Sequence, residues 1–365
     1  MIKRTEIIDL DKKQDIIDHI NQDHTEELLI IAQDYEMKLI IKNALIEDIF
    51  QEGVLLALFD KENKKLKNLF VEFQLRGDLE EQILYLAYQA FIKNNRDLSG
   101  NKTVYFDVVN VQKITQNFIR IKLKILNQAP NYYAAYAYGF QLKILNKKPK
   151  NIKVLNKKSK IKNLMDRMLL WLIKILSSKS RQRLIENINK GIRIYTLRKL
   201  FEGNYAYIDI YTHDNSAGSQ WVKLLKQGDV ILSKTEVADK HTHLNKGQVV
   251  FIADETAYPA VAGILDFWKN PIPPLIILLA SDVRDYTYFD DFNFPLQSEV
   301  HRVNCQPGQQ AEKVINILEQ KILIENVWGA LENDAAKKIR HYLRNQRDLN
   351  GKNNHMKGYW RLNKL

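Results

Sequence analysis

The chain holds one cysteine, Cys305, among 365 residues. A single thiol forms no internal disulfide and cannot supply the thiolate set of an iron–sulfur cluster, so any redox chemistry needs another cofactor. Long apolar runs are missing as well. The nearest approach, Met168 to Leu176, is nine residues interrupted by Lys174, against the roughly 20 that a membrane-spanning helix requires. The first twenty residues include Lys3, Arg4, Asp9, Asp11, Lys12, Lys13, Asp15 and Asp18 and hold no signal-like apolar run. These absences lead us to expect a cytoplasmic protein without a membrane span.

Charge, by contrast, is plentiful and uneven. The net value is +12, yet residues 1–100 carry 13 Lys/Arg against 20 Asp/Glu. Between Lys143 and Lys199 there are 18 basic residues against only Asp166 and Glu186. Such a block attracts an anion. Eight of the 16 residues from Lys147 to Lys162 are Lys, and none is aromatic. Base stacking is therefore unsupported, and nucleic acid is not the expected partner.

The hydrophobic pattern divides the chain. Residues 1–100 read as a small α+β domain, with an amphipathic helix through Ile16 to Ile31, strands at Gly53 to Phe59 and Leu69 to Phe73, and a helix from Leu79 to Lys93. Residues 103–240 show short alternating strands, among them 104–109, 118–125, 192–196 and 205–212, which suit an antiparallel barrel carrying a basic insertion at 143–190. That insertion holds a Lys/Asn-rich loop and a basic amphipathic helix around Leu164 to Leu176. From residue 247 to 365 strands and helices alternate, the order that builds a parallel sheet covered by helices.

Four constellations carry candidate chemistry. In Arg193-Ile194-Tyr195-Thr196-Leu197-Arg198, alternation puts Tyr195 with Arg193 on one face and Thr196 with Arg198 on the other. An aromatic ring to stack on a flavin, a hydroxyl to meet its ring atoms and a guanidinium to fork onto phosphate are what such a cofactor needs. His213 is followed by Ala217-Gly218-Ser219-Gln220-Trp221, where Ser219 is a candidate helix cap and Gly218 admits close backbone approach, leaving amides for a pyrophosphate. The strand Val249 to Ala253 runs into Asp254-Glu255-Thr256-Ala257-Tyr258-Pro259, a ligand-binding place in an open sheet, with Thr256 or Ala257 as cap. It lacks Gly-x-Gly-x-x-Gly, so it is no ordinary Rossmann site. Gly358-Tyr359-Trp360-Arg361 is an aromatic tail segment of the kind that folds back into a site. Taken singly, each piece also fits an ordinary strand or capped turn.

Taken together from Thr103 to Leu365, they resemble the siderophore-interacting proteins, flavin- and nicotinamide-dependent reductases of ferric siderophores. The resemblance implies an antiparallel flavin-binding barrel followed by a nicotinamide-binding α/β domain of ferredoxin-reductase type, with FAD and NADPH or NADH as cofactors. It implies flavin contacts from Arg193, Tyr195, Thr196, His213 and the turn of Ala217, Gly218 and Ser219, and nicotinamide contacts near Asp254, Glu255, Thr256 and Ala257; Arg198, Trp221 and Trp360 complete the candidate cofactor-binding set. Lys357, Arg361 and Lys364 are expected to meet the anionic ferric siderophore, and the protein is expected to be a monomer. Ala253 departs from the family's usual glycine. A separate segment, His19-Ile20-Asn21-Gln22-Asp23-His24 with Glu26 to Leu29, resembles a small domain of haem-utilization proteins. The alternative reading is a non-catalytic flavin, haem or siderophore binder. His241-Thr242-His243 lacks a third ligand at sensible spacing and reads as loop.

Overall fold

The computed structural model describes residues 3–94, 103–127, 129–145, 160–189, 191–213, 216–237, 239 and 241–362. Two compact units emerge. One joins residues 1–101 with 154–190, and the other joins 102–153 with 191–365. The helical part of the basic insertion thus groups with the N-terminal residues, whereas the barrel and the α/β layer share a unit.

In the first unit the amphipathic stretch expected as one helix forms two, α1 (Leu10–Asp23) and α2 (Thr25–Tyr35). His24 lies outside helical geometry between them and ends α1. A three-stranded antiparallel sheet of β1 (Asn43–Ile49), β2 (Gly53–Phe59) and β3 (Lys65–Glu72) follows, then α3 (Leu79–Lys93), capped by Asp78. Ile20, Leu28, Ile31, Leu56, Leu58 and Ile83 fill the core between sheet and helices. Two more helices, α4 (Lys160–Ile175) and α5 (Ser178–Asn189), belong here. Arg181 of α5 is buried and fastens them. Its guanidinium donates to both carboxylate oxygens of Glu81 and to the carbonyls of Arg76, Ile173 and Leu176.

The second unit opens with a closed six-stranded antiparallel barrel in the order β4-β5-β8-β7-β6-β9. Its strands are β4 (Val104–Lys113), β5 (Phe118–Ile125), β6 (Ala137–Leu145), β7 (Ile192–Phe201), β8 (Tyr205–Tyr211) and β9 (Val230–Val237). Helix α6 (Ala217–Leu224) sits between the last two. The interior is filled by Phe106, Tyr138, Phe140, Ile121, Leu197 and Ile208. A parallel sheet in the order β12-β11-β10-β13-β14 completes the unit. Its elements are β10 (Val249–Ala253), α7 (Tyr258–Leu265), β11 (Leu275–Ala280), β12 (Glu299–Asn304), α8 (Gln310–Glu319), β13 (Asn326–Glu332), α9 (Asn333–Arg347) and β14 (Asn354–Trp360).

Barrel and sheet are tied by specific polar contacts. Arg120 forks onto Asp209 with two 2.7 Å bonds, and Tyr288, from the sheet side, donates to the same carboxylate at 2.6 Å. Asn117 donates to Asp285 at 3.0 Å. Strand β7 lies under α7, where the backbone comes so close that a Cβ on Gly263 would stand 3.3 Å from the Arg198 carbonyl. Among the described residues no helix is long and apolar enough to cross a membrane.

Candidate functional site

Strand β7 breaks the simple alternation that its sequence suggests. Thr196, Leu197 and Arg198 are all buried, with a register shift between Leu197 and Lys199. Leu197 points into the barrel, while Arg198 pairs with Asp266 beneath α7 at 2.7 Å. Both sides of the strand are thus covered. Arg193 is exposed, its Nη1 donating to the Ile192 carbonyl at 2.8 Å.

Tyr195 is half-buried, with its ring stacked on Trp221 of α6 (centroids 6.2 Å, planes 5° apart). Its hydroxyl reaches Gly218 so closely that an added Cβ there would lie 2.2 Å from it. Burial pushes the phenol up to about 12, so the hydroxyl keeps its proton and can donate. Gly218 and Ser219 belong to the first turn of α6, but the cap is Ser216, not Ser219. The Ser216 hydroxyl accepts from the Ser219 amide at 3.2 Å. Ser219 stands in the third helical position and uses its hydroxyl on His213 instead, accepting from the His213 amide at 3.1 Å and donating to its carbonyl at 3.0 Å. Ala217 is exposed at the start of the same turn.

His213 leads to the sheet. Its ring lies against Tyr211 on one side and has Trp360 at 6.2 Å on the other. Trp360 ends β14 and donates its indole N–H to Asp254 at 2.7 Å. Asp254 is fully buried at the end of β10 and also accepts from the Thr256 hydroxyl (2.5 Å) and amide (3.0 Å). Burial pushes this carboxyl up, and the bonds from Thr256 and Trp360 pull it back. Glu255 is buried too, accepting from the Ser281 amide at 2.6 Å; burial and then the neighbouring Asp254 raise it to about 7. Ala257 takes the cap position of α7 after a single tight turn, and Pro259 lies in the first helical turn as expected.

A continuous line of contacts therefore runs Tyr195, Gly218, Ser219, His213, Trp360, Asp254. It unites the four constellations, which are as much as 165 positions apart in the chain. Lys357 lies elsewhere: its ammonium is 3.1 Å from the buried Asp239, which also accepts from the Trp328 indole at 3.0 Å. That pairing neutralises Lys357 within the fold, so it does not offer a free charge to an anionic substrate. Arg361 is exposed, and Lys364 lies outside the described residues. Asp239 and Asp266 are the partners that sequence reasoning missed, because the lysine and arginine they hold lie 118 and 68 positions away.

The same α/β segment also matches a family model. Residues 246–363 match the siderophore-interacting protein family. That match covers the sheet from β10 to β14 together with the Asp254 and Trp360 pieces. Among solved structures, the siderophore-interacting protein of Acinetobacter baumannii shares 19% identity over 71% of this chain and 91% of its own, with TM-score 0.53. The siderophore-interacting protein SipS of Aeromonas hydrophila shares 17% over 73% of this chain and 94% of its own, with TM-score 0.50. At such identity the likeness concerns the fold: the barrel-then-sheet arrangement of siderophore-interacting proteins is present here. No curated protein matches the chain.

Proposed function

We propose that this chain is a flavin-dependent reductase that uses NAD(P)H to reduce the iron of an anionic ferric siderophore. The observation that carries the proposal is the contact line from Tyr195 to Asp254, which brings a stacked aromatic pair, a helix start and the carboxyl edge of a parallel sheet together. Ligands of open sheets bind at that edge. The donors suit FAD: Arg198 Nε and Trp221 Nε1 are buried donors with no hydrogen-bond partner among the described residues, and the Tyr195 hydroxyl, at the start of α6, is a protonated donor.

Fe(III) in hard oxygen ligands is held more tightly than Fe(II), so one added electron loosens the chelate. A bound flavin supplies the step between a two-electron nicotinamide and a one-electron metal. The chain's own residues hold and orient. Half-buried Tyr195, backed by buried Trp221, presents a flat apolar face, the first turn of α6 presents amide N–H groups to phosphate, and exposed Arg193 adds a forked cation. On the sheet side Asp254 fixes the Trp360 ring beside His213, limiting where a nicotinamide can lie, and Arg361 stands next to that edge as a positive charge for an anionic chelate. Exposed Arg284, just after β11, is a candidate for a 2′-phosphate but pairs with Asp282 at 2.9 Å, so NADH and NADPH are to be compared directly.

The test uses the purified full chain mixed with FAD and desalted. Retained yellow colour, bleaching by NADPH or NADH, and recovery of colour with appearance of Fe(II) on adding a ferric tris-catecholate are expected. A colourless protein that refuses FAD would overturn the reading.

A further inference from the structure

Among its described side chains helix α4 has apolar residues on two sides, one half-buried and one exposed. Leu170 and Ile173 are half-buried on the side that packs against α3, where Arg181 also grips the Ile173 and Leu176 carbonyls. The opposite side carries Met168, Trp171, Leu172 and Ile175, spaced as one helical stripe and 62%, 65%, 38% and 58% exposed. Arg167 and Lys174, seven residues apart and both exposed, run beside that stripe. An apolar ridge with Trp at its middle, bordered by cations, is costly to leave in water.

We propose that this face of α4 docks the protein onto a lipid bilayer surface rich in anionic headgroups. The helix has 16 residues, about 24 Å of length, too short for a hydrocarbon core of roughly 30 Å. It is suited to lie in the interface, with Met168, Trp171, Leu172 and Ile175 entering the acyl boundary and Arg167 and Lys174 meeting phosphates. The surrounding sequence fits the same partner, since 18 basic residues stand against two acidic ones from Lys143 to Lys199. A second copy is the poorer occupant, because a two-fold pairing of this face would bring Arg167 and Lys174 of both copies together. Arg181 contributes differently: buried on Glu81, it holds the helix so that the bare stripe faces outward.

Co-flotation of the full chain with vesicles tests the proposal. Phosphatidylcholine mixed with phosphatidylglycerol should carry the protein up the gradient, and phosphatidylcholine alone should not. Trp171→Glu should lower the partition coefficient roughly tenfold, with unchanged thermal unfolding because the side chain is solvated. Arg167→Glu with Lys174→Glu, which leaves the apolar stripe intact, should weaken binding comparably, and added salt should weaken the wild type. The proposal is overturned if the wild type stays with the soluble fraction, if both variants float as it does, or if light scattering finds a dimer that Trp171→Glu splits.

Discussion

A side chain as small as a methyl group distinguishes Gly218 from every alternative. The Tyr195 hydroxyl occupies the place a Cβ would take, and the ring cannot swing freely because it is stacked on Trp221. Gly218→Ala should therefore cost about 1–3 kcal/mol in urea unfolding and, on the proposed function, lower FAD retention after desalting. A variant that keeps both would show that the ring yields. Glu255 offers a pH signature. Its carboxyl rises from 4.5 to about 7 on folding, so the folded state holds this proton more tightly than the unfolded one. Stability should then fall as pH climbs from about 4.5 to about 7, by about 3 kcal/mol for this group. Glu255→Gln keeps an acceptor for the Ser281 amide and removes the titration. The difference between variant and wild-type unfolding free energies should thus grow in the variant's favour across that window and level off above it; a flat difference would discount the assignment. For Arg361, replacement by Ala should raise KM for a ferric siderophore with flavin content unchanged.

At the level of elements, legibility followed how each strand or helix is covered. β5 and β10 fall where the sequence pattern puts them, as does α3. Strand β6 escaped it because Ala137 to Phe140 are buried in a row, erasing the period-two signal, and β12 because its Glu299-Val-His-Arg-Val-Asn reads as polar loop. The break at His24 has no Gly or Pro to announce it. The site motifs were legible residue by residue; their partners were not, since nothing local links Lys357 to Asp239 or Arg198 to Asp266. The tail expected to fold back does so as β14, hydrogen-bonded in parallel to β13 and fastened by Trp360 on Asp254 and by the Leu362 amide on Glu332 at 3.1 Å. Trp360→Phe removes one donor from a fully buried carboxylate and should cost about 1–3 kcal/mol, seen as a lower urea midpoint.

For the molecule as a whole, the division into two units makes a statement about cooperativity. Barrel and parallel sheet share Arg198 with Asp266, Asn117 with Asp285, and the Arg120, Asp209 and Tyr288 cluster. The slowest amides of β7 and of β10 should therefore exchange through the same opening, with matching free energies and a common response to denaturant. Independent opening would mean that these contacts bind more weakly than their geometry indicates.

The bond from Trp360 to Asp254 also makes the indole a witness. A proton held between a ring nitrogen and a sequestered carboxylate resonates far downfield and trades slowly with deuterium. Following that one signal in the spectrum would report, without any label, whether the final strand is seated or has come away.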